Sequence, residues 1–408
     1  MPRLPLLACV VALGLTAFEV CAAARSAEDE FRAVLVEASR QHHLPGISAA
    51  IATRQGVIWT GAVGYANLET RARANEAYLY GIGSITKTFI ACLVERLIDE
   101  GRLSLDTKAV DILGPETLAG IPNADRSTIR QLLNHSSGIP TWEFDADWIR
   151  SGRGADSRPD RLWGKAETLD YVRGGRHPAT NEPGRGYAYA NTNFTILGLI
   201  LEKVTGRDVV ALLHDDLLGP LALGDIRLEG FEPVESARLP ARYHYDTPEF
   251  RRAAGVSPAF HVAAPGLLDV SRSNLSTEWT AGGLLATAHD LASFALALRD
   301  GRVVPPATLA RMVNFGPTDE ADEEVGQGLF HEQVAGDWLV GYDGGVLGFG
   351  AVMGWLEHDD VVIVLMTNVG MMHAGDAAWY PLKLVRSKAF VDAARRLARD
   401  LSPPTSHR

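Results

Sequence analysis

The segment that decides the fold of this chain lies at residues 81–98 and reads GIGSITKTFIACLVERLI. Its two glycines permit a sharp turn, and the apolar residues after them recur at helical spacing, which predicts a buried helix. Ser84 and Lys87 are three residues apart and would lie on one face of that helix. A lysine beside apolar residues is partly desolvated, which lowers its pKa and lets the neutral amine take a proton from serine. Ser84 is therefore a candidate nucleophile.

The same Ser-x-x-Lys pattern also has a purely structural interpretation. Ser84 would then cap the helix, and Lys87 would be a solvated residue of the first turn. Because the pattern is short, only partners further along the chain can separate the two interpretations.

The composition is that of an ordinary globular protein with a large core. The chain has 408 residues, of which 46% are apolar and 22% charged. The net charge is −11 and the sequence contains no basic run, which argues against a nucleic-acid or anionic-membrane surface. We therefore predict no nucleic-acid partner.

Residues 1–24 have the features of a signal peptide. An apolar run at 4–17 is followed by small residues at 21–24, which suit cleavage near residue 24. We expect a periplasmic or secreted protein without a transmembrane anchor after signal removal, since no later segment approaches the roughly 20 apolar residues that span a bilayer. Lipid attachment at Cys21 is the less favoured alternative. Export would leave Cys92 as the only cysteine, so no internal disulfide is expected.

The patterns predict that the two ends of the chain build one layer of sheet and helices, at about residues 25–80 and 335–405. The first part has a helix from residue 26 and a hairpin of strands at 47–53 and 57–66. The second part has strand-like runs at 338–342, 349–356 and 361–367 and a closing helix at 380–401.

The middle of the chain, residues 81–334, reads as a mostly helical insertion into that layer. Helices are predicted at 128–134, 191–205, 209–217 and 288–300. The segment 143–185 is rich in Gly, Arg and Asp and predicts a surface loop region that borders the site.

A second candidate motif lies at residues 183–191, PGRGYAYAN, ahead of an apolar helix. Tyr189 and Asn191 on a loop that enters a helix can place a phenol and an amide at one point. A phenolate between ammonium groups has a lowered pKa and can act as a base toward serine and then as an acid toward the leaving group. The amide can bind Lys87 or the substrate. The alternative is a packed aromatic residue and a helix cap.

A third candidate motif, GYDGG at residues 341–345, lies at the end of a predicted strand. Glycines there let a backbone N–H approach a ligand closely. Together with the N–H of Ser84, it can bind the oxyanion of a tetrahedral intermediate. A glycine-rich strand end is also an ordinary turn, so this motif carries little weight alone.

Taken in this order, the motifs resemble the serine β-lactamase-like family, which includes class C β-lactamases, D-alanyl-D-alanine carboxypeptidases and family VIII-type esterases. The resemblance covers roughly residues 27–400. It is carried by Gly83-Ser84-Ile85-Thr86-Lys87, Leu132-Leu133-Asn134-His135-Ser136-Ser137-Gly138, Pro183-Gly184 with Tyr189-Ala190-Asn191, Thr280-Ala281-Gly282-Gly283-Leu284, and Gly344-Gly345-Val346-Leu347-Gly348-Phe349. It implies one α+β domain at residues 25–408 of the β-lactamase/transpeptidase type, an antiparallel sheet flanked by helices with a mainly helical inserted subdomain.

The resemblance also implies roles for individual residues. Ser84 would be the nucleophile, Lys87 its activator, Tyr189 the general acid and base, Asn191 a ligand of substrate and lysine, and Gly345 an oxyanion donor. The implied function is an exported serine hydrolase that forms an acyl-enzyme with a small ester, amide or peptidoglycan-like substrate. The alternative is a β-lactam- or peptidoglycan-binding sensor that is acylated without turnover. Whether lysine or tyrosine is the general base stays open.

The triplet Tyr342-Asp343-Gly344 departs from the family pattern, which has Lys or His in its first position. A cationic or donor side chain there helps to hold the carboxylate of penicillins and D-alanyl peptides, whereas Asp343 would repel an anion. Tyr342 can still donate one hydrogen bond. The departure favours an esterase or a broad amide hydrolase over an efficient β-lactamase.

The histidines show no metal-ligand spacing, and the sequence has no His-Glu-x-x-His motif. We interpret them, His135 included, as packed or solvated side chains. We predict neither a metal nor a cofactor.

Overall fold

The structure is a computed structural model that describes residues 26–376, 378 and 380–402. The signal peptide predicted at residues 1–24, with Cys9 and Cys21, lies outside the described residues. Cys92 is buried and has no disulfide partner within those ranges. No helix in the same ranges has both the length and the apolar character of a membrane span.

Strands occur in both ends of the chain and in its middle. They are β1 (Gly46–Thr53), β2 (Gly56–Gly64), β3 (Tyr80–Gly81), β4 (Ile226–Leu228), β5 (Tyr243–Tyr245), β6 (His261–Ala264), β7 (Leu267–Asp269), β8 (Leu284–Ala286), β9 (Gly316–Pro317), β10 (Glu323–Val325), β11 (Phe330–Val334), β12 (Asp337–Val346), β13 (Phe349–Leu356), β14 (Val362–Thr367) and β15 (Val369–Gly370).

Helices alternate with these strands. They are α1 (Ala27–Gln41), α2 (Thr86–Asp99), α3 (Ala109–Leu113), α4 (Pro115–Leu118), α5 (Ile129–Leu133), α6 (Ala146–Trp148), α7 (Asn191–Thr205), α8 (Val209–Leu212), α9 (Pro248–Ala253), α10 (Trp279–Gly282), α11 (Ala288–Arg299), α12 (Pro306–Met312), α13 (Pro381–Val385) and α14 (Lys388–Leu401). Short 3-10 or π turns lie at Gly83–Ile85, Trp142–Phe144, Ile149–Arg153, Glu167–Tyr171, Leu213–Leu218 and Ser236–Arg238.

An antiparallel sheet forms the centre of the molecule. In the described part of the chain its eight strands lie in the order β2-β1-β14-β13-β12-β11-β10-β9. The N-terminal hairpin thus pairs with β14 near the C-terminus, and Ile51 lies opposite Ile363. Every residue of β14 is buried because helices cover both faces of the sheet. This arrangement confirms the α+β fold with an antiparallel sheet flanked by helices.

The helices on the two faces of the sheet give two apolar cores. On one face α1 packs against α14, and the rings of Phe31 and Phe390 have centroids 5.3 Å apart. On the other face α11 packs against the sheet, and its Phe294 stacks on Phe89 of α2 at 3.7 Å. The second core therefore joins the sheet to the helical middle of the chain.

The longer helices lie where the sequence predicts them. α7 has its predicted bounds, and α11 ends at Arg299, one residue before its predicted end. The Thr287 side chain caps α11 by accepting the Asp290 N–H. Ser26 caps α1 in the same way through the Asp29 N–H. The helix predicted at 209–217 is α8, continued by a π turn to Leu218.

The sheet and the closing helix differ from their predicted bounds. The sequence places the return of the sheet near residue 335, but β9, β10 and β11 at residues 316–334 already belong to it. These strands have two to five residues and little apolar alternation, so they leave no clear pattern. The helix predicted at 380–401 is divided into α13 and α14, because the Ser387 side chain accepts the Phe390 N–H and starts a new helix.

The middle of the chain is less purely helical than the sequence predicts. It contributes β4 and β8, which form a small sheet with β3, and β5, β6 and β7, which form another with β15. Apart from the four-residue β6, each of these strands has only two or three residues, so the sequence shows no period for them.

The segment at residues 143–185 is not only the surface loop region that its composition predicts. It contains several short helical turns and buries Trp148, Glu143 and Arg153. Arg153 is 1% exposed because its guanidinium bonds two carboxylates and lies 5.0 Å from the Trp148 ring centroid. Charged side chains become buried in this way only when partners neutralise them. These partners come from other parts of the chain, so the composition of the segment does not indicate that its charges are buried.

Candidate active site

Ser84 lies where a short strand turns into a helix. β3 ends at Gly81, a 3-10 turn covers Gly83–Ile85, and α2 begins at Thr86. Gly83 has a φ of +52°, in the left-handed region that glycine adopts readily. The residues on both sides of Ser84 are buried, whereas Ser84 is partly exposed. The turn therefore presents the serine hydroxyl to incoming molecules.

Lys87 lies completely buried beside this hydroxyl. Its Nζ donates hydrogen bonds to Ser84 Oγ at 2.9 Å and to the Ala281 carbonyl at 2.5 Å. Burial lowers the pKa of Lys87 to about 7, although the carboxylates of Glu143 and Glu278 act in the opposite direction. Near pH 7 a large fraction of Lys87 is thus a neutral amine that can accept the serine proton.

Tyr189 approaches Ser84 from the loop before α7. Its hydroxyl donates to Ser84 Oγ at 2.6 Å, and its ring stacks on His135 with centroids 4.4 Å apart. Burial raises the pKa of Tyr189 well above its usual value. This direction is opposite to the lowered pKa that the sequence analysis expects, because the loss of solvation and the nearby Glu143 carboxylate both disfavour a phenolate.

Asn191 begins α7 and is 3% exposed. Its Nδ2 donates to Glu143 Oε2 at 2.6 Å, while its Oδ1 has no hydrogen-bond partner among the described residues. The structure thus joins Asn191 to Glu143, and the bonds of Lys87 Nζ go to Ser84 and Ala281 instead. This Oδ1 is a buried acceptor without a partner in the part of the chain that the structure describes.

Glu143, Arg153 and Glu278 form a buried ionic network near Lys87 that the sequence did not reveal. Arg153 Nη2 donates to Glu143 Oε1 at 3.1 Å and to Glu278 Oε1 at 2.9 Å. Burial raises the pKa of Glu278, while Arg153 opposes this effect. No motif signals these partners, since Arg153 and Glu278 are 125 residues apart.

The backbone of β12 runs directly against the Ser84 turn. A Cβ added to Gly344 would lie 2.0 Å from the Ile82 carbonyl oxygen and 2.8 Å from Ser84 N. One added to Gly83 would lie 2.7 Å from Gly345 N. Only glycine permits so close an approach. The N–H groups of Ser84 and Gly345 thus belong to adjoining segments, as a pair of oxyanion donors requires.

Tyr342 and Asp343 project from opposite faces of β12, as successive strand residues do. Tyr342 is 2% exposed and its hydroxyl lies 3.3 Å from His135 Nε2, so the pleat of the strand turns it toward the protein interior. The expectation that Tyr342 donates a hydrogen bond to a substrate carboxylate stays a prediction. Asp343 is half-buried; burial raises its pKa and Arg386 lowers it.

His135 is a packed histidine, as the sequence predicts, but its contacts connect it to the site. It lies between Tyr189 and Tyr342 and is 1% exposed. In the sequence, only its place in the NHSSG motif indicates that His135 is connected to the site. Within the described ranges there is no group of three or more His, Cys, Asp or Glu side chains suited to a metal ion.

Comparison with protein families agrees with this geometry. A family model described as Beta-lactamase matches residues 26–385. Esterase EstB of Burkholderia gladioli is 28% identical over 360 residues, which cover 84% of this chain and 85% of the esterase. Penicillin-binding protein 4 of Amycolatopsis lactamdurans is 32% identical over 183 residues, which cover 45% of this chain and 44% of that protein.

Solved structures of similar proteins have the same fold. A D-stereospecific amidohydrolase from Streptomyces sp. is 26% identical with a TM-score of 0.71, over 85% of this chain and 95% of its own. D-amino acid amidase from Ochrobactrum anthropi SV3, complexed with D-phenylalanine, is 24% identical with a TM-score of 0.75, over 92% and 98%. At its lower identity, the second likeness concerns the fold alone.

Proposed function

The chain belongs to the beta-lactamase family and is a serine hydrolase; we propose that it cleaves a small ester or amide through an acyl-enzyme at Ser84. One observation carries this proposal. Ser84 Oγ receives hydrogen bonds from both Lys87 Nζ and Tyr189 Oη, the two groups that can move protons during acyl transfer.

Lys87 acts as the general base in the acylation step. Because burial lowers its pKa to about 7, about half of Lys87 is unprotonated at pH 7, and its Nζ lies 2.9 Å from Ser84 Oγ. As Ser84 Oγ attacks the substrate carbonyl, the serine proton passes to Lys87 Nζ. The tetrahedral oxyanion is held by the backbone N–H groups of Ser84 and Gly345.

Tyr189 acts as the acid that protonates the leaving group. Its raised pKa keeps the phenol protonated, so it has a proton to give. The phenolate formed then takes the proton that Lys87 received, which restores both residues. In deacylation a water molecule replaces the serine hydroxyl and the same groups move its proton.

The substrate class that we propose is a neutral ester or amide. Asp343 occupies the triplet in which the family has a residue that helps to bind a substrate carboxylate, and the Tyr342 hydroxyl already has His135 Nε2 as a partner at 3.3 Å. Both features disfavour an anionic substrate. The similar proteins include an esterase and a D-stereospecific amidohydrolase, which supports the same class.

Steady-state kinetics on a substrate panel test this proposal. The panel contains nitrophenyl esters of graded chain length, a chromogenic cephalosporin and a D-Ala-D-Ala peptide. We expect repeated turnover of the esters, with kcat/KM above that of both carboxylate-bearing substrates. Asp343→Asn should raise kcat/KM for those substrates by about 3- to 10-fold relative to the esters, because one repulsive charge is removed. Glu320→Gln, which removes an exposed charge, is the matched control.

Two outcomes of the panel would contradict the proposal. A single stoichiometric acylation without turnover would favour the sensor, the function that the likeness to a penicillin-binding protein suggests. Faster hydrolysis of the cephalosporin than of every ester would overturn the substrate preference.

We also propose that the protein is periplasmic or secreted. The apolar run at residues 4–17 and the small residues at 21–24 support cleavage of a signal peptide near residue 24. N-terminal sequencing of protein from the periplasmic or culture fraction should begin near Arg25. An uncleaved cytosolic product would contradict export.

A further inference from the structure

Three side chains form a hydrogen-bonded chain that ends at the Ser84 hydroxyl. His135 Nε2 lies 3.3 Å from Tyr342 Oη, the Tyr342 hydroxyl interacts with that of Tyr189, and Tyr189 Oη lies 2.6 Å from Ser84 Oγ. His135 and Tyr342 are 1% and 2% exposed. Neither residue touches solvent to any extent, so their polar atoms depend on one another for partners.

The backbone fixes the tautomer of His135. The Ala190 N–H donates to His135 Nδ1 at 3.1 Å, so Nδ1 carries a lone pair and the ring proton resides on Nε2. Burial lowers the pKa of His135 well below its usual value, and nearby Lys87 acts in the same direction. The ring is therefore neutral, and its Nε2–H can only donate toward Tyr342.

A fixed donor at one end gives the whole chain a single direction. Because Tyr342 Oη accepts from His135, its own proton is directed to Tyr189 Oη. Because Tyr189 Oη accepts from Tyr342, its proton is directed to Ser84 Oγ. Each hydroxyl thus has one defined orientation, and the last one faces the reacting atoms.

His135 also holds the loop that carries Tyr189. The Ala188 N–H donates to the His135 carbonyl at 2.9 Å and the Ala190 N–H donates to its ring, so both neighbours of Tyr189 are fixed. His135 itself has a φ of +57°, which costs energy for a residue other than glycine. This strained conformation allows one residue to bond the loop through both its backbone and its ring.

We propose that His135, acting through Tyr342, is a positioning residue that directs the Tyr189 proton toward the leaving group. This inference rests on the proposed function. When Tyr189 protonates the leaving group, its O–H bond breaks, a new O–H or N–H bond forms on the leaving group, and a phenolate remains. Tyr342 donates a hydrogen bond to that phenolate until Lys87 returns a proton to it. His135 and Tyr342 keep their own protons throughout.

Dependence on the leaving group tests this role. Tyr342→Phe removes the central hydroxyl and keeps the ring, while His135→Asn keeps a short acceptor for the loop and removes the donor to Tyr342. On alkyl esters or amides, whose leaving groups need a proton, we expect each variant to lose about 10- to 100-fold in kcat. On nitrophenyl esters, whose leaving group departs as an anion, the loss should be only a few-fold. The double variant should lose little more than either single one.

Tyr187→Phe is the matched control. Its ring centroid lies 6.2 Å from that of His135, and within the described residues its hydroxyl has no hydrogen bond to His135, Tyr342 or Tyr189. Tyr187→Phe should change kcat only slightly, and by the same factor for both leaving-group classes.

Equal losses on both leaving-group classes would show that His135 and Tyr342 have only a structural role and would overturn the inference. Losses that multiply in the double variant would do the same. If His135→Asn does not fold, Tyr342→Phe alone still decides, since it retains the loop contacts of His135. The proposed function fails separately, if the wild-type enzyme turns over no ester or amide.

Discussion

At the scale of single residues, burial determines which proton carrier can act first. Ser84 Oγ contacts two such groups, but burial changes their pKa values in opposite directions: it lowers that of Lys87 to about 7 and raises that of Tyr189 well above its usual value. The lysine is therefore suited to accept a proton and the tyrosine to donate one. The motifs left open whether lysine or tyrosine is the general base, and we propose that it is Lys87.

The pH dependence of activity follows from Lys87. Only the unprotonated amine can act as base, so kcat/KM for a neutral ester should fall about tenfold for each pH unit below the pKa and level off above about pH 7. Glu143→Gln should move the midpoint to lower pH, because the carboxylate of Glu143 raises the pKa of Lys87. Rate measurements from pH 5 to 10 check both. A rising limb near pH 10, as for a tyrosine base, would contradict the assignment.

The sequence allows Ser84, Lys87 and Tyr189 to be predicted because each lies in a short motif whose residue types suit its chemistry. It does not allow their buried neighbours to be predicted. His135 meets Tyr342 across 207 positions, and Arg153 meets Glu278 across 125. Such contacts arise from the fold, and no local spacing indicates them.

At the scale of elements, the site depends on how closely β12 approaches the turn before α2. The glycines on both sides bring the backbone N–H groups of Ser84 and Gly345 onto adjoining segments. Side chains there would separate the strand from the turn. The approach can be anticipated only in part from sequence, since a glycine pair at a strand end is also typical of an ordinary turn.

Gly344→Ala should disrupt this approach. Its Cβ would lie 2.0 Å from the Ile82 carbonyl oxygen, so β12 must move away from Ser84. We expect kcat to fall about 10²- to 10³-fold, as for the loss of an oxyanion donor, with a modest fall in Tm. Gly316→Ala in β9, where a Cβ meets no atom within 4 Å, is the control. Unchanged kcat in Gly344→Ala would contradict the assignment of these N–H groups.

Element prediction succeeded where a pattern is long and failed where it is short. α7 and α11 have 15 and 12 residues and a continuous apolar face, so their bounds follow from periodicity and caps. β9, β10 and β11 have 2, 3 and 5 residues and owe their place to pairing: β11 pairs with β12, β10 with β11, and β9 with β10. Pairing partners of that kind are not visible in the strand's own residues.

At the scale of the whole molecule, the site lies between the sheet and the helical middle of the chain. The middle supplies Ser84, Lys87 and Tyr189, while β12 near the C-terminus supplies Gly345. β1 pairs with β14 in this sheet, although the paired residues are more than 300 positions apart in the sequence. Neither part contains a complete site, so the proposed chemistry depends on the intact fold.

Covalent labelling of Ser84 tests the proposed acyl-enzyme most directly. The purified protein is incubated with a fluorophosphonate, digested and analysed by mass spectrometry. An activated serine nucleophile should acquire one phosphonyl group per chain, on the peptide that contains Ser84. Ser84→Ala should abolish the label, while Ser136→Ala, which removes another partly exposed hydroxyl, should retain it. Labelling that persists in Ser84→Ala, or a wild-type protein that acquires no label at Ser84, would contradict the role assigned to this serine.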